Sequence, residues 1–157
     1  MAGQFSIRGY DATIDPKKKT IGVPLVLVMF KFFTLANEFF KDLGYNVVLS
    51  HTSNEETVQL SQQVCAGGDL LSGKITARHM EWLARKKVDY IFIPCIHTIR
   101  HETSGVAHNY GCVYMQTAPR IVASVLGLSE RGVELICPVL DLDMGKPQLA
   151  GAMIKRS

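Results

Sequence analysis

The segment VDYIFIPC, residues 88–95, decides the fold of this chain. Tyr90 to Ile93 form an unbroken apolar run, which is typical of a strand whose two faces are both covered by helices. Pro94 has no backbone N–H and should end the hydrogen-bonded ladder, and Cys95 follows it at once. The segment therefore predicts a buried parallel strand whose carboxyl end carries a thiol.

Segments of two kinds alternate along the rest of the chain. The strand-like segments are TIGVPLVLVMF (20–30), YNVVLSH (45–51), DYIFIPC (89–95), CVYMQ (112–116) and VELICPVLDLD (133–143). The helix-like segments are FKFFTLANEFFKDLG (30–44), TSNEETVQLSQQ (52–63), DLLSGKITARHMEWLARKKV (69–88) and TAPRIVASVLGL (117–128). This alternation predicts an α/β fold with a doubly wound, mainly parallel sheet of four to five strands, a three-layer sandwich of the Rossmann or flavodoxin-like kind.

The helical segments also predict which side chains face the sheet. In the first helix, Phe32, Leu35, Phe39 and Leu43 recur every three to four residues. In the 69–88 helix, the apolar side includes His79, which we expect to be a partly buried histidine with a hydrogen-bond partner. The 52–63 helix should begin with a capping box from Ser53 to Glu56, and Pro119 is expected in the first turn of the last helix. A polar loop is expected at 96–111.

Composition limits the class of protein. The chain has 157 residues, 47% of them apolar, which suits one domain: a polar leader at 1–19, an α/β domain at 20–144, and a truncated tail or the start of a further segment at 145–157. The net charge of +3 owes much to the run Lys17 to Lys19 and gives little reason to expect a nucleic acid. The sequence has no apolar stretch long enough to span a bilayer and no apolar core of a signal peptide. We therefore expect a cytoplasmic protein that does not bind a membrane.

The four cysteines differ in their predicted position. In open α/β sheets the functional crevice lies at the carboxyl ends of the strands, where Cys95 is expected. Cys65 precedes a predicted helix, whose positive end favours a thiolate. Cys112 is expected to begin the fourth strand, at the opposite edge, and Cys137 to act as a small apolar residue within the fifth strand. In a reducing cytosol such cysteines are free, metal-bound or redox-active.

The sequence lacks the motifs of several common binding and catalytic sites. No C-x-x-C is present, which argues against a zinc ribbon, a thioredoxin-type dithiol and the compact ferredoxin spacing. The turn after the first strand matches neither a dinucleotide-binding loop nor a P-loop, and a G-x-S-x-G elbow is missing. His97, His101 and His108 share one loop, where histidines are usually solvated rather than zinc ligands.

Five segments resemble one family in order and spacing: IGVPLVLVMF, FFKDLGYNVVLSHTSNEET, QQVCAGGDLLSGKI, KKVDYIFIPCI and NYGCVYMQTAPRIV. The family is a domain of unknown function in CoA-substrate-specific enzyme activases, related to the 2-hydroxyacyl-CoA dehydratase subunits. The resemblance covers roughly residues 20–128. Those subunits are known for an iron–sulfur cluster held by three cysteines, of which the first two lie about thirty residues apart in the first α/β domain. Here 95 − 65 = 30.

The resemblance implies a function and a set of site residues. Cys65 and Cys95 match the first two ligands of a cluster, expected to be [4Fe-4S], with the third ligand outside this chain and Cys112 a weaker candidate. His97, His101 and Glu102 would surround the cluster and tune it. The cluster would receive a low-potential electron in an ATP-driven step, and in the isolated chain it would be incomplete or absent.

The resemblance also implies partners. They are the remaining domains of the parent protein or an ATPase activator component, and a CoA-ester substrate. Independently of the resemblance, loss of a neighbouring domain would expose apolar surface and promote self-association into a homo-oligomer. The chain carries no ATPase motif, so it should not hydrolyse ATP alone, and whether it is itself an enzyme stays open.

Two alternatives remain at this point. One is a non-catalytic Rossmann-like module that binds a small ligand or partner at its carboxyl edge, with structural cysteines. The other is an enzyme with Cys95 as nucleophile and His97 or His101 as its base.

Overall fold

The computed structural model describes residues 13–51, 71–99 and 109–142. Over these residues the chain alternates strands and helices as the sequence predicts. The strands are β1 (Thr20–Val23), β2 (Asn46–Leu49), β3 (Tyr90–Phe92), β4 (Cys95–Thr98), β5 (Glu134–Ile136) and β6 (Val139–Asp141). The helices are α1 (Met29–Asp42), α2 (Leu71–Arg85) and α3 (Val113–Val125), with a 3-10 turn at Ser129–Arg131. None of the helices in the described ranges is long and apolar enough to cross a membrane.

The main sheet has four strands in the order β2-β1-β3-β5, all parallel. β4 and β6 pair in parallel as a second, two-stranded sheet. The predicted α/β class with a mainly parallel, helix-flanked sheet is therefore confirmed. Because the chain leaves β1 toward β2 and later returns to β3 on the other side of β1, the direction of winding reverses between β1 and β3. Ligands bind at such switch points in open α/β sheets.

Helices cover both faces of the sheet. Successive side chains of a strand point to opposite faces of the sheet, so the contacts of Ile21 and Gly22 in β1 show which helix packs on each face. Ile21 shares an apolar cavity with Phe39 and Phe40 of α1. A methyl group added at Gly22 would lie 3.1 Å from the side chain of Leu83 in α2. Gly22 therefore allows α2 to pack closely on one face while α1 covers the other, which gives three layers.

The face that α1 buries differs from the predicted one. Its buried residues are Met29, Phe33, Ala36, Asn37 and Phe40. Leu35 and Leu43 of the predicted stripe are about half exposed, at 51% and 54%. The helix carries apolar side chains on both sides, so its sequence is compatible with either orientation. In the observed orientation Phe40 packs against Phe92 of β3, with ring centroids 4.9 Å apart.

Each of two strands breaks at a proline and then resumes. β3 ends before Ile93 and Pro94, and β4 follows, so part of the predicted 96–111 loop is strand. β5 and β6 are separated by Cys137 and Pro138, where the sequence predicts one continuous fifth strand. A proline supplies no N–H to the ladder, which accounts for both interruptions.

The predicted fourth strand, CVYMQ, was wrong. Residues from Val113 onward belong to α3, which runs to Val125 and places Pro119 in its interior rather than in its first turn. Pro119 is buried with Ala118 and Val122 on the inner side of the helix, so tertiary packing offsets the backbone hydrogen bond that proline removes. The predicted capping box at Ser53 and Glu56 lies outside the described residues.

Candidate functional site

Four residues mark the carboxyl edge of the main sheet. Ser50 follows β2, Leu25 lies two residues beyond β1, and Cys95 and Cys137 follow β3 and β5. Given the strand order, they run along the edge as Ser50, Leu25, Cys95 and Cys137. The switch point falls between Leu25 and Cys95, so it divides a polar half of the edge from a thiol half.

The polar half is a hydrogen-bonded cluster of side chains. The Leu25 N–H donates to Ser50 Oγ over 2.8 Å, and Ser50 Oγ lies 2.6 Å from His79 Nδ1 of α2. His51 stacks on His79 with ring centroids 4.9 Å apart, and Trp82 meets His51 edge-on. Ser50 and His79 are buried, at 3% and 0% exposure. The predicted satisfied histidine is therefore confirmed, and it is fully buried.

His79 is held in its neutral form. Burial, with smaller contributions from His51 and Arg78, lowers the pKa of His79 from its ordinary 6.5 to about 4. With a neutral ring, we assign the Ser50 hydroxyl as the donor and Nδ1 as the acceptor. This cluster joins β1, β2 and α2 and has the character of a structural clamp.

The thiol half brings together two cysteines that are 42 positions apart. Cys95 Sγ and Cys137 Sγ lie 2.6 Å apart, and both residues are buried, at 2% and 8% exposure. The Ile93 N–H donates to the Ile136 carbonyl over 3.1 Å and the Cys95 N–H to the Pro138 carbonyl over 2.9 Å, so backbone hydrogen bonds flank the pair. Cys137 is buried as predicted, but no pattern within either segment indicates that its sulfur contacts Cys95.

The two thiols differ electrostatically. A hydrogen bond from Cys137, aided by the positive charge of Arg120, lowers the pKa of Cys95 to about 7, although burial acts in the opposite direction. The same hydrogen bond and burial raise the pKa of Cys137. Arg120 of α3 also reaches the Cys137 carbonyl, with Nη2 at 3.5 Å. Cys95 is therefore the thiol of the pair that ionises more readily.

His97 is engaged on β6. Its Nδ1 lies 2.9 Å from Asp141 Oδ1, which also accepts from Thr98 Oγ1 over 3.1 Å, and its ring meets Tyr110 edge-on. The half-exposed pair thus joins β4 to β6. The Asp141 contact engages Nδ1 and does not involve Nε2, the nitrogen that a Cys–His–Asp arrangement would turn toward its nucleophile. His101 and Glu102 lie outside the described residues.

Cys112 does not lie where the sequence placed it. It is exposed and immediately precedes α3, rather than beginning a strand at the opposite edge. The Gly111 N–H donates to the His97 carbonyl over 2.8 Å, and a Cβ at Gly111 would lie 2.8 Å from the Ile96 carbonyl oxygen. The glycine therefore lets the chain before Cys112 pack directly on β4, near the thiol half of the edge.

The described residues contain no cluster of three or more potential metal ligands. Cys65 lies outside them, so the predicted Cys65–Cys95 pairing stays a prediction. The described part of the chain also has an aromatic cavity of about 260 Å³ between α1 and the sheet. Its lining runs from Tyr90 and Glu134 at the amino ends of β3 and β5 to Ile136 and Pro138 beside Cys137, so one end of the cavity reaches the carboxyl edge.

Comparison with known proteins gives one match. A family model described as the CoA enzyme activase uncharacterised domain matches residues 20–157. Neither the curated proteins nor the solved structures yielded a match. The family match covers most of the chain, including both halves of the carboxyl edge. The chain therefore belongs to the CoA enzyme activase uncharacterised domain family.

Proposed function

We propose that this domain supplies cysteine ligands to an iron–sulfur cluster in an activase-like or 2-hydroxyacyl-CoA-dehydratase-like protein. Cys95 is the ligand from the described residues, Cys65 is the second, and the third comes from outside the chain. The observation that carries the proposal is the position of Cys95: a buried thiol, disposed to ionise, at the carboxyl end of a central strand and beside the switch point.

The chemistry of the donors fits such a group. Thiolates are the soft ligands that iron–sulfur clusters select, and Arg120 provides positive charge close to the Cys95 thiolate. Two ligands of one cubane lie about 6 to 7 Å apart, given Fe–S bonds close to the ~2.3 Å of zinc thiolates. At 2.6 Å, Cys95 and Cys137 are too close to ligate two irons of one cluster. We therefore take Cys137 to contact the Cys95 sulfur and not to ligate iron.

The chain's own residues would do three things for a bound cluster. Cys95 would anchor it, and the Cys137 thiol would donate a hydrogen bond to the Cys95 sulfur, a contact that shifts cluster potentials. The buried setting of both thiols would exclude water from one side. The cluster itself would supply the one-electron, low-potential chemistry.

The family supports partners in a larger assembly. Membership in an activase domain family is consistent with a partner domain or protein that drives the electron by ATP hydrolysis, since this chain carries no P-loop. A CoA ester is the substrate class that the family description suggests.

Anaerobic reconstitution tests the proposal. The chain is incubated with ferrous iron, sulfide and 2-mercaptoethanol, which can complete the coordination, and bound iron and acid-labile sulfide are then counted. We expect both in the wild-type chain and a loss of most of them in Cys65→Ala and Cys95→Ala. Cys112→Ala is the matched control, because it removes an exposed thiol near the same edge. Full iron and sulfide in both Cys65→Ala and Cys95→Ala would refute the proposal.

A further inference from the structure

The break in β3–β4 and the break in β5–β6 lie side by side. Cys95 directly follows Pro94, and Cys137 directly precedes Pro138. The hydrogen bonds from Ile93 N–H to the Ile136 carbonyl and from Cys95 N–H to the Pro138 carbonyl hold the two chains on either side of this point. The two cysteines are therefore fixed relative to each other by backbone pairing.

Their sulfurs stand close to bonding distance. The Sγ–Sγ separation is 2.6 Å, about half an ångström more than the ~2.05 Å of a disulfide. Flanking hydrogen bonds keep the backbones paired during so small a movement.

We propose that Cys95 and Cys137 form a peroxide-sensitive thiol pair that closes to an intramolecular disulfide when Cys95 carries no metal. The inference goes beyond the proposed function and does not depend on it, because it requires only the two free thiols. If Cys95 does ligate iron, the disulfide is the state that prevents ligation until a thiol reductant reopens it.

The oxidation balances with hydrogen peroxide as the oxidant. The Cys95 thiolate attacks one peroxide oxygen, so an S–O bond forms, the O–O bond breaks and hydroxide leaves. The Cys137 sulfur then attacks the Cys95 sulfenic sulfur, forming the S–S bond and expelling the second oxygen. The protons of the two thiols convert both oxygens to water. Two thiols thereby lose two electrons, and peroxide gains them.

Peptide mapping tests the pair because each cysteine lies in its own tryptic peptide. Cys65 falls in 42–74, Cys95 in 88–100 and Cys112 in 101–120; Cys137 falls in 132–155, since Lys146 precedes a proline. The whole chain is treated with a chelator, exposed to stoichiometric hydrogen peroxide, blocked with N-ethylmaleimide and digested. We expect 88–100 linked to 132–155, with a chain mass lower by two hydrogens.

Two variants and a reduction step complete the test. Cys112→Ser should keep the link unchanged. Cys137→Ser should abolish it and leave Cys95 to advance to sulfinic or sulfonic acid. Dithiothreitol should restore both thiols in the wild type. The inference is overturned if the link joins 42–74 or 101–120 instead, if dithiothreitol fails to restore the thiols, or if Cys95 and Cys137 stay reduced while exposed Cys112 is oxidised. The wild-type result stands even if Cys137→Ser fails to fold.

Discussion

The two halves of the carboxyl edge differ in the chemistry of their buried side chains. In the polar half, Ser50 and His79 are buried and satisfy each other and the Leu25 N–H. In the thiol half, Cys95 and Cys137 are equally buried but meet through a weak donor and a weak acceptor. At similar burial, one half is joined by ordinary hydrogen bonds, and the other holds a thiol, Cys95, whose pKa is lowered by Cys137 and Arg120.

This difference distinguishes side chains that stabilise the fold from side chains that are available for chemistry on the same edge. A buried polar group with every partner in place stabilises the fold, and removing one partner is costly. A buried thiol pair contributes little as hydrogen bonds, and a positive charge beside it, here Arg120, favours the reactive thiolate. Variants of the polar half should therefore change stability, whereas variants of the thiol half should change metal binding and oxidation.

The largest effect is expected for Ser50→Ala. This change leaves the buried Leu25 N–H and His79 Nδ1 without the serine oxygen, and each lost partner costs about 1–3 kcal/mol, for a total of about 4 kcal/mol. Urea denaturation measures the loss. Ser124→Ala, at an exposed position of α3, is the matched control and should stay within about 0.5 kcal/mol of wild type. An equally small change for Ser50→Ala would show that the clamp is not structural.

The next effect is the dependence of stability on pH. Because His79 has a pKa of about 4 in the folded chain and an ordinary 6.5 when unfolded, the unfolded state binds more protons between these values. Stability should therefore be complete above pH 6.5 and fall by roughly 3 kcal/mol as the pH decreases to 4. His79→Asn keeps an acceptor for the Ser50 hydroxyl but cannot titrate, so its decline should be shallower by that amount. Identical slopes for both proteins would contradict the assignment.

A smaller effect is expected in the thiol half. Cys137→Ala removes one sulfur from a buried site and leaves no strong donor or acceptor unmet, so it should cost about 1 kcal/mol. Cys112→Ala, which removes an exposed sulfur, should be close to neutral. Denaturation under reducing conditions measures both. A loss for Cys137→Ala as large as that for Ser50→Ala would erase the contrast between the two halves.

The sequence predicts much of this architecture for a physical reason. The apolar runs of β1, β2 and β3 and the amphipathic α1 and α2 are local patterns with their own periodicity. Cys95 was located at a carboxyl end by the same local logic, because an apolar run ended at Pro94. His79 was recognised as buried because its neighbours on α2 are apolar.

The errors all involve information that is not local. CVYMQ contains β-forming residues, yet it begins α3 because tertiary packing buries Ala118, Pro119 and Val122 along one helix. The buried side of α1 depends on which Phe meets Phe92 across the sheet. Cys137 contacts Cys95 because β5 pairs with β3 and both chains break at a proline. The sequence has an I-P-C motif at 93–95 and a C-P motif at 137–138, with their cysteines 42 positions apart. These motifs indicate a contact between the cysteines only when the strand order is known.

The most direct test of the central claim, that the thiol half holds the cluster and the polar half does not, is electron paramagnetic resonance. Chains reconstituted anaerobically with iron, sulfide and 2-mercaptoethanol are reduced with dithionite and their low-temperature signals are integrated. We predict a reduced-cluster signal of equal intensity in wild type and His79→Asn, and its loss in Cys95→Ala. A signal that persists at full intensity in Cys95→Ala, or that disappears in His79→Asn while that variant remains folded, would contradict the account.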